Sequence, residues 1–279
     1  MKLTLLTENN SLYDTFFHAE HGFSAYIEDD GKKILYDTGY SNAFIKNAIQ
    51  MGIDLTKIDY LIISHGHYDH AGGLKHLIEY YKGQGVTRKP VLMFASEDIF
   101  LLKYNFEVDK NTGFNMELDM LKEYFDVRFV HDPYNLTDNL IYLGQVERLN
   151  NFECKTPQNK KLKNNEYIDD FIDEDTQLVY KHKNSDEISI VTGCSHNGIC
   201  NIIAYAKKVT GRNKVNTVIG GLHLQRPSEY LLSSTLEFVK NAHIENFYAC
   251  HDTDFECKLE LTKIANIKET GVSLTLEWD

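Results

Sequence analysis

The stretch Ser64-His65-Gly66-His67-Tyr68-Asp69-His70-Ala71-Gly72-Gly73 constrains this chain more than any other. Residues 60–63 before it are apolar and mostly β-branched or aromatic, and read as a buried strand. Residues 74–80 after it carry apolar side chains at helical spacing. His65, His67, Asp69 and His70 therefore sit on a strand-to-helix turn, where a rigid sheet projects side chains into a cleft. His65 and His67 are two residues apart in nearly extended backbone, so both imidazoles leave on the same side. Asp69 and His70 open the helix and point the other way round the turn. One pair can serve one metal and the other pair a second metal nearby. Neutral imidazole suits zinc, iron or manganese, and a carboxylate compensates charge. A His-rich surface turn without metal does not account for three His and an Asp directly behind a buried strand. Tyr68 reads as filler of the turn.

A second signal comes from the other half of the chain. Residues 191–196, 215–223 and 244–251 each read as a strand running into a histidine, with helices following at about 198–209, 228–241 and 255–267. Strand ends followed by helices place His196, His223 and His251 on one edge of an α/β sheet, where ligands collect. A lone His is usually structural, but three in register beside the turn at residue 65 form a set.

The remaining elements fit around these. Residues 2–7, 23–28 and 33–37 read as strands, the last two joined by a hairpin turn at 29–32. Ser41 is the expected cap of a helix over 42–51, with Gly52 as its stop. A strand at 91–95, an amphipathic helix at 114–125, a strand at 127–130, a hairpin of 177–181 with 188–192, and a closing strand at 272–276 follow. Residues 96–175 are the least readable, and 152–175 contains charge runs that read first as solvated loops and alternatively as an active-site lid.

Apolar content of 42% over 279 residues supports a substantial core, and the net charge of −12 removes the broad basic footprint of a nucleic-acid binder. The five cysteines contain no Cys-x-x-Cys pair, so neither a disulfide framework nor a zinc knuckle is indicated. No run approaches membrane-span length, and the N-terminal residues are too polar for a signal peptide. The expectation is a cytoplasmic protein with a small-molecule substrate, without nucleic-acid or membrane partners.

His65-x-His67-x-Asp69-His70 resembles the metal-binding signature of the metallo-β-lactamase fold superfamily, and Tyr36-Asp37-Thr38-Gly39 resembles its strand-ending Asp-Thr-Gly. The resemblance spans nearly the whole chain. It implies an α/β fold, a four-layer αββα sandwich, with residues 1–279 as a single domain. Gly193 to Ile199, Gly220 to Leu224, Glu20 to Ser24 and Cys250-His251 look like the dihydropterin (ribofuranosylaminobenzene phosphate) synthase-like branch. That branch tends to carry a paired acid before the strand at 178, matched here by Glu174-Asp175. It usually continues its last His as Cys-Thr-Gly, whereas His251-Asp252-Thr253-Asp254 stands here. The Asp that bridges two metals in the superfamily is also replaced, because Thr192-Gly193-Cys194 occupies its place.

The resulting expectation puts His65, His67 and His196 on a first metal and Asp69, His70 and His251 on a second, with Zn2+ favoured and Mn2+ or Fe open. Cys194 is either a further ligand or a small buried hydrophobe, and the site holds two metals or one firm and one loose. A shared water, deprotonated near neutral pH, is the expected nucleophile. Asp69 and His223 are the catalytic candidates, with His223 protonating a leaving group, binding a substrate oxygen or adding a seventh ligand. Asp37 is read as orienting a metal-bound His, or as a turn cap, and His21 as a substrate contact, or as a solvated residue. The expected function is a metal-dependent hydrolase of a small metabolite, with zinc as the favoured metal. The alternatives are a synthase joining a ribose-phosphate donor to an aromatic acid, and a non-hydrolytic metal-binding or di-iron redox protein.

Overall fold

The computed structural model describes residues 1–106, 109–157 and 159–279. Its first part runs β1 (Lys2–Thr7), β2 (Ser24–Asp29), β3 (Lys32–Tyr36), α1 (Ala43–Gln50), β4 (Tyr60–Ile62), α2 (Tyr68–Ala71), α3 (Leu74–Gln84) and β5 (Val91–Phe94). Then come β6 (Lys103–Asn105), β7 (Lys110–Asn111), α4 (Leu118–Tyr124), β8 (Asp126–Phe129), β9 (Tyr134–Asn135), β10 (Leu140–Tyr142), β11 (Asn159–Lys163) and β12 (Glu166–Asp170). The last part is β13 (Leu178–Lys181), β14 (Glu187–Thr192), α5 (Ile199–Thr210), β15 (Lys214–Gly220), α6 (Glu229–Ala242), β16 (Asn246–Ala249), α7 (Phe255–Thr262) and β17 (Thr275–Glu277).

Period-two alternation along the strands builds the layers. In the first sheet, ordered β17-β1-β2-β3-β4-β5-β8, Leu3, Leu5, Ile27, Ile34 and Tyr36 point inward to the second sheet. Their neighbours Leu6, Tyr26 and Leu35 point outward, onto Phe44 and Ala48 of α1 and Leu74, Leu77 and Ile78 of α3. The second sheet, ordered β16-β15-β14-β13-β10-β9, repeats the device. Leu178, Tyr180, Val191 and Ile219 meet the first sheet, while Val179, Ile188, Ile190 and Val218 pack under α5, α6 and α7. Three apolar cores between four layers give the αββα sandwich that the resemblance implies.

Strands β3, β4 and β5 are parallel, as are β14, β15 and β16. Their C-terminal ends feed the loops that carry Asp37, the 64–70 turn, His196, His223 and His251. One edge of the sandwich thereby collects side chains from both sheets.

Four expectations need correction. The helix placed over 114–125 is confined to Leu118–Tyr124, and that placed over 255–267 ends at Thr262. Asn42 rather than Ser41 is the cap residue of α1, although Ser41 Oγ accepts the Ala43 N–H at 3.1 Å. The charge runs of 152–175 are not simply loops, because β11 and β12 form a hairpin that joins β6 and β7 in a small third sheet. The charges are absorbed in pairs. Lys160 meets Asp169 across the hairpin, and Lys161 reaches Asp98 at 3.0 Å. Lys103, fully buried, is held by Asp170 at 3.0 Å and by Glu174. Gln158, within that polar stretch, lies outside the described residues.

Candidate metal centre

Asp37 follows β3 in a left-handed conformation, φ 59°, which turns its carboxylate under the 64–70 loop. Oδ1 accepts the Ser64 N–H at 2.7 Å. Oδ2 lies 2.7 Å from both Ser64 Oγ and His70 Nδ1. Ser64 Oγ is also 2.9 Å from His65 Nδ1. These contacts set the tautomers. A carboxylate only accepts, so His70 Nδ1 carries a proton and Nε2 is the nitrogen turned toward the site. The Ser64 hydroxyl gives its proton to Asp37, so it accepts from His65 Nδ1 and leaves His65 Nε2 bare. Gly193 is required beside this network, since a Cβ there would overlap Ser64 Oγ. The orienting role read for Asp37 thus has a specific geometry.

The Nε2 atoms face partners from the second sheet. His65 Nε2 lies 3.1 Å from His196 Nε2, and His70 Nε2 lies 2.9 Å from His251 Nε2. His65, His67 and His196 offer ligand atoms within 4.8 Å of one another, as do His70, Cys194 and His251. Asp69 Oδ2 stands 3.5 Å from His70 Nε2. The donor sets fit divalent cations. Two imidazoles on a tetrahedral zinc, each about 2.0–2.1 Å from it, stand about 3.3 Å apart, close to the spacing found. Among the described residues, His196 Nδ1 and His251 Nδ1, both buried, have no hydrogen-bond partner.

Burial first, then the charge of neighbouring imidazoles, holds His65 and His196 well below the usual histidine range. Burial likewise brings His67 to about 4 and His251 to about 3, so these rings are neutral donors. His70 differs. Burial works against its charge, but Asp69 and Asp37 outweigh that and bring it to about 9. Asp69 is also resisted by burial, and the charge of His70 together with the His21 hydrogen bond keeps it ionised, below the usual carboxylate range.

The remaining predicted residues line the same cleft. His21 Nε2 is 3.4 Å from Asp69 and 3.5 Å from Asp252. The His223 ring lies tilted at 50° to that of His196, 4.3 Å between centroids, and His223 belongs with Cys194 and His196 to a further group of close ligand atoms. Cys194, buried, sits in both Cys-containing groups, with Sγ donating to Asp252 Oδ2 at 2.9 Å and lying 3.4 Å from His223 Nδ1.

Sequence reasoning gave no role in the site to Asp252, Asn159 or Asp175, although Glu174-Asp175 reads as the paired acid of the synthase-like branch. Asp252 brings a carboxylate to the thiol that replaces the bridging Asp, and its signal was the altered turn after His251. Asn159, at the start of β11, places its amide 3.1 Å from His67 Nε2. Asp175 is wholly buried, accepts the Asn197 N–H at 3.2 Å and stands 3.9 Å from His65 Nδ1. Burial above all raises it to about 7. The backbone marks the site too, since Asp37, Ser195, His223, Arg226 and Asp252 all have positive φ.

Residues 19–149 match the family model described as the metallo-beta-lactamase superfamily. Protein MJ0448 of Methanocaldococcus jannaschii is 31% identical over 264 residues, covering 92% of this chain and 93% of that protein. A second protein of the same organism, 7,8-dihydropterin-6-methyl-4-(beta-D-ribofuranosyl)-aminobenzene-5'-phosphate synthase, is 30% identical over 270 residues, covering 92% of this chain and 89% of its own. The chain belongs to the metallo-β-lactamase superfamily. Among solved structures of the metallo-β-lactamase superfamily, Tm1679, described as a metal-dependent hydrolase, aligns over the whole of both chains. The TM-score is 0.83 and the identity 27%. Metallo-β-lactamase superfamily proteins typically bind divalent metals, in keeping with the donor sets above. No helix among the described residues is long and apolar enough to cross a membrane.

Proposed function

We propose that the protein is a zinc-dependent hydrolase of a small metabolite. The observation that carries this reading is the pairing of imidazole Nε2 atoms across the sheet edge, His65 with His196 and His70 with His251. His65, His67 and His196 would hold one cation, and His70, His251 and Cys194 a second, with Asp69 Oδ2 3.5 Å from His70 Nε2. A divalent cation there supplies Lewis acidity and makes water a stronger acid. The protein's own groups do the rest. Asp37 and Ser64 fix two rings through their Nδ1 atoms. His21 and Asp252 bracket Asp69 at the mouth of the cleft. His223, about a quarter exposed at the side chain, is placed to donate to a departing oxygen. A void of about 190 Å³ over His67, Asp69 and Asp252 suits the reacting centre of a small molecule.

A second reading is favoured by one observation, the 30% identity to the dihydropterin ribofuranosylaminobenzene phosphate synthase across almost the whole chain. On that reading the same cleft joins two substrates instead of admitting water.

The test is metal content after purification without chelator, combined with turnover of bis-p-nitrophenyl phosphate. The hydrolase reading expects zinc in the protein, turnover abolished by chelation and restored by zinc, and loss of turnover in His67→Ala. Zinc-loaded protein inert toward esters, lactones and phosphodiesters, yet forming product from the pterin and aminobenzene substrates, would replace it by the synthase reading.

A further inference from the structure

A second cavity, of about 430 Å³, adjoins the metal cluster and shares His196, His223 and Gln225 with the void above it. It runs between the 152–156 loop and the start of α6, and its size is that of a site for part of a small molecule. Its walls have two characters. Phe152, Leu222, Leu224 and Leu231 give an apolar floor, with Tyr230 exposed at the rim. Lys155 and Arg226 give two exposed cations whose side chains have no ion pair or hydrogen bond among the described residues. The carboxylate in the lining, Glu153, is committed elsewhere. It is buried and accepts the N–H groups of Cys200 and Asn201 at 3.0 and 2.8 Å, closing the start of α5. In a chain of net charge −12, a groove whose uncommitted charges are both positive runs against the general field.

We propose that this groove holds the tail of the substrate, and that the tail is an aromatic or apolar body ending in an anionic group such as a carboxylate, sulfonate or phosphate. The proposal rests on the hydrolase reading for the bond broken at the metal cluster, and adds to it the class of molecule. His223, common to both cavities, is the boundary between the reacting centre and the tail. Lys155 and Arg226 recognise the anion, and the leucines and Phe152 take the body.

The experiment has a binding arm and a turnover arm, both on the zinc-loaded protein. Calorimetry compares 2-naphthalenesulfonate with its neutral counterpart 2-naphthalenemethanol, sulfonate being a weak ligand for zinc. The sulfonate should bind about tenfold more tightly, and that preference should vanish in the double variant Lys155→Gln, Arg226→Gln. Tyr230→Ala, at an exposed position, should weaken both compounds alike. Turnover then compares p-nitrophenyl 4-carboxyphenyl phosphate with p-nitrophenyl phenyl phosphate, which share a leaving group and differ only in the tail. The carboxylate should raise kcat/KM in the native protein and not in the double variant. Equal binding of the two naphthalenes, or a preference unchanged in the double variant, overturns the groove assignment. A retained binding preference with neither diester hydrolysed removes phosphodiester hydrolysis and leaves the groove standing. Hydrolysis of both diesters at equal efficiency does the reverse.

Discussion

A single carboxylate governs two of the histidines at the sheet edge. Because Asp37 accepts from His70 Nδ1 and from Ser64, which in turn accepts from His65 Nδ1, it decides which nitrogen of each ring is free. Asp37→Ala should lower zinc affinity by about 10–100-fold, measured by competition with a chromophoric chelator. A variant with unchanged affinity would mean that the rings are held by packing alone. The turn residues themselves were readable because ligand-type side chains in that density have few other uses. Their bonding partners were not. Nothing in the sequence ties Asn159 to His67 or Asp175 to His65, since both contacts depend on how residues 150–175 fold back over the site.

The small sheet of β6, β7, β11 and β12 shows why that stretch was hard to read. Strands are recognised by alternating apolar residues, but here lysines alternate and are satisfied by acids from neighbouring segments. Read without partners, Lys160 to Lys163 and Asp169 to Asp175 look solvated. Folded, they place Asn159 in the wall of the cleft and bury Lys103 completely. Lys103→Met would leave Glu174 buried without its cation and Asp170 with Lys161 alone, 3.7 Å away. Removing one member of such a buried set costs about 3–5 kcal/mol. Denaturant unfolding should show that loss. Lys103→Met paired with Asp170→Asn and Glu174→Gln should recover part of it, which a purely steric effect of Met would not allow. The helices of the second half were legible in number and place because each follows a strand and a His-bearing turn. Their ends were less so, as with α7, whose apolar pattern continues past Thr262 into residues that pack without remaining helical.

At the scale of the molecule, the candidate ligands come from both sheets, so a cation held by His65 and His196 joins the two halves of the sandwich. Binding to the folded state alone stabilises it by about 3–4 kcal/mol when the metal is at 100–1,000 times its dissociation constant. Chelation should therefore lower the thermal midpoint by about 5–10 °C, followed by circular dichroism, and zinc should restore it. No change would place the metals on the surface of an already rigid frame. The four-layer architecture was legible through the resemblance that the 65–70 turn and Asp37-Thr38-Gly39 carry, and not from the strand pattern alone. The groove beside α6 was not, because its walls are brought together from residues 152–156 and 222–231.

The left-handed backbone at His223, Arg226 and Asp252 has a consequence for how this protein tolerates change. Each such residue costs about 1 kcal/mol or more relative to a chain free of the strain, and glycine is the residue that relieves it. A selection for heat resistance alone will therefore favour glycine at these turns. The survivors would be sturdier proteins with a blunted site, so thermal robustness and chemistry compete here for the same few positions.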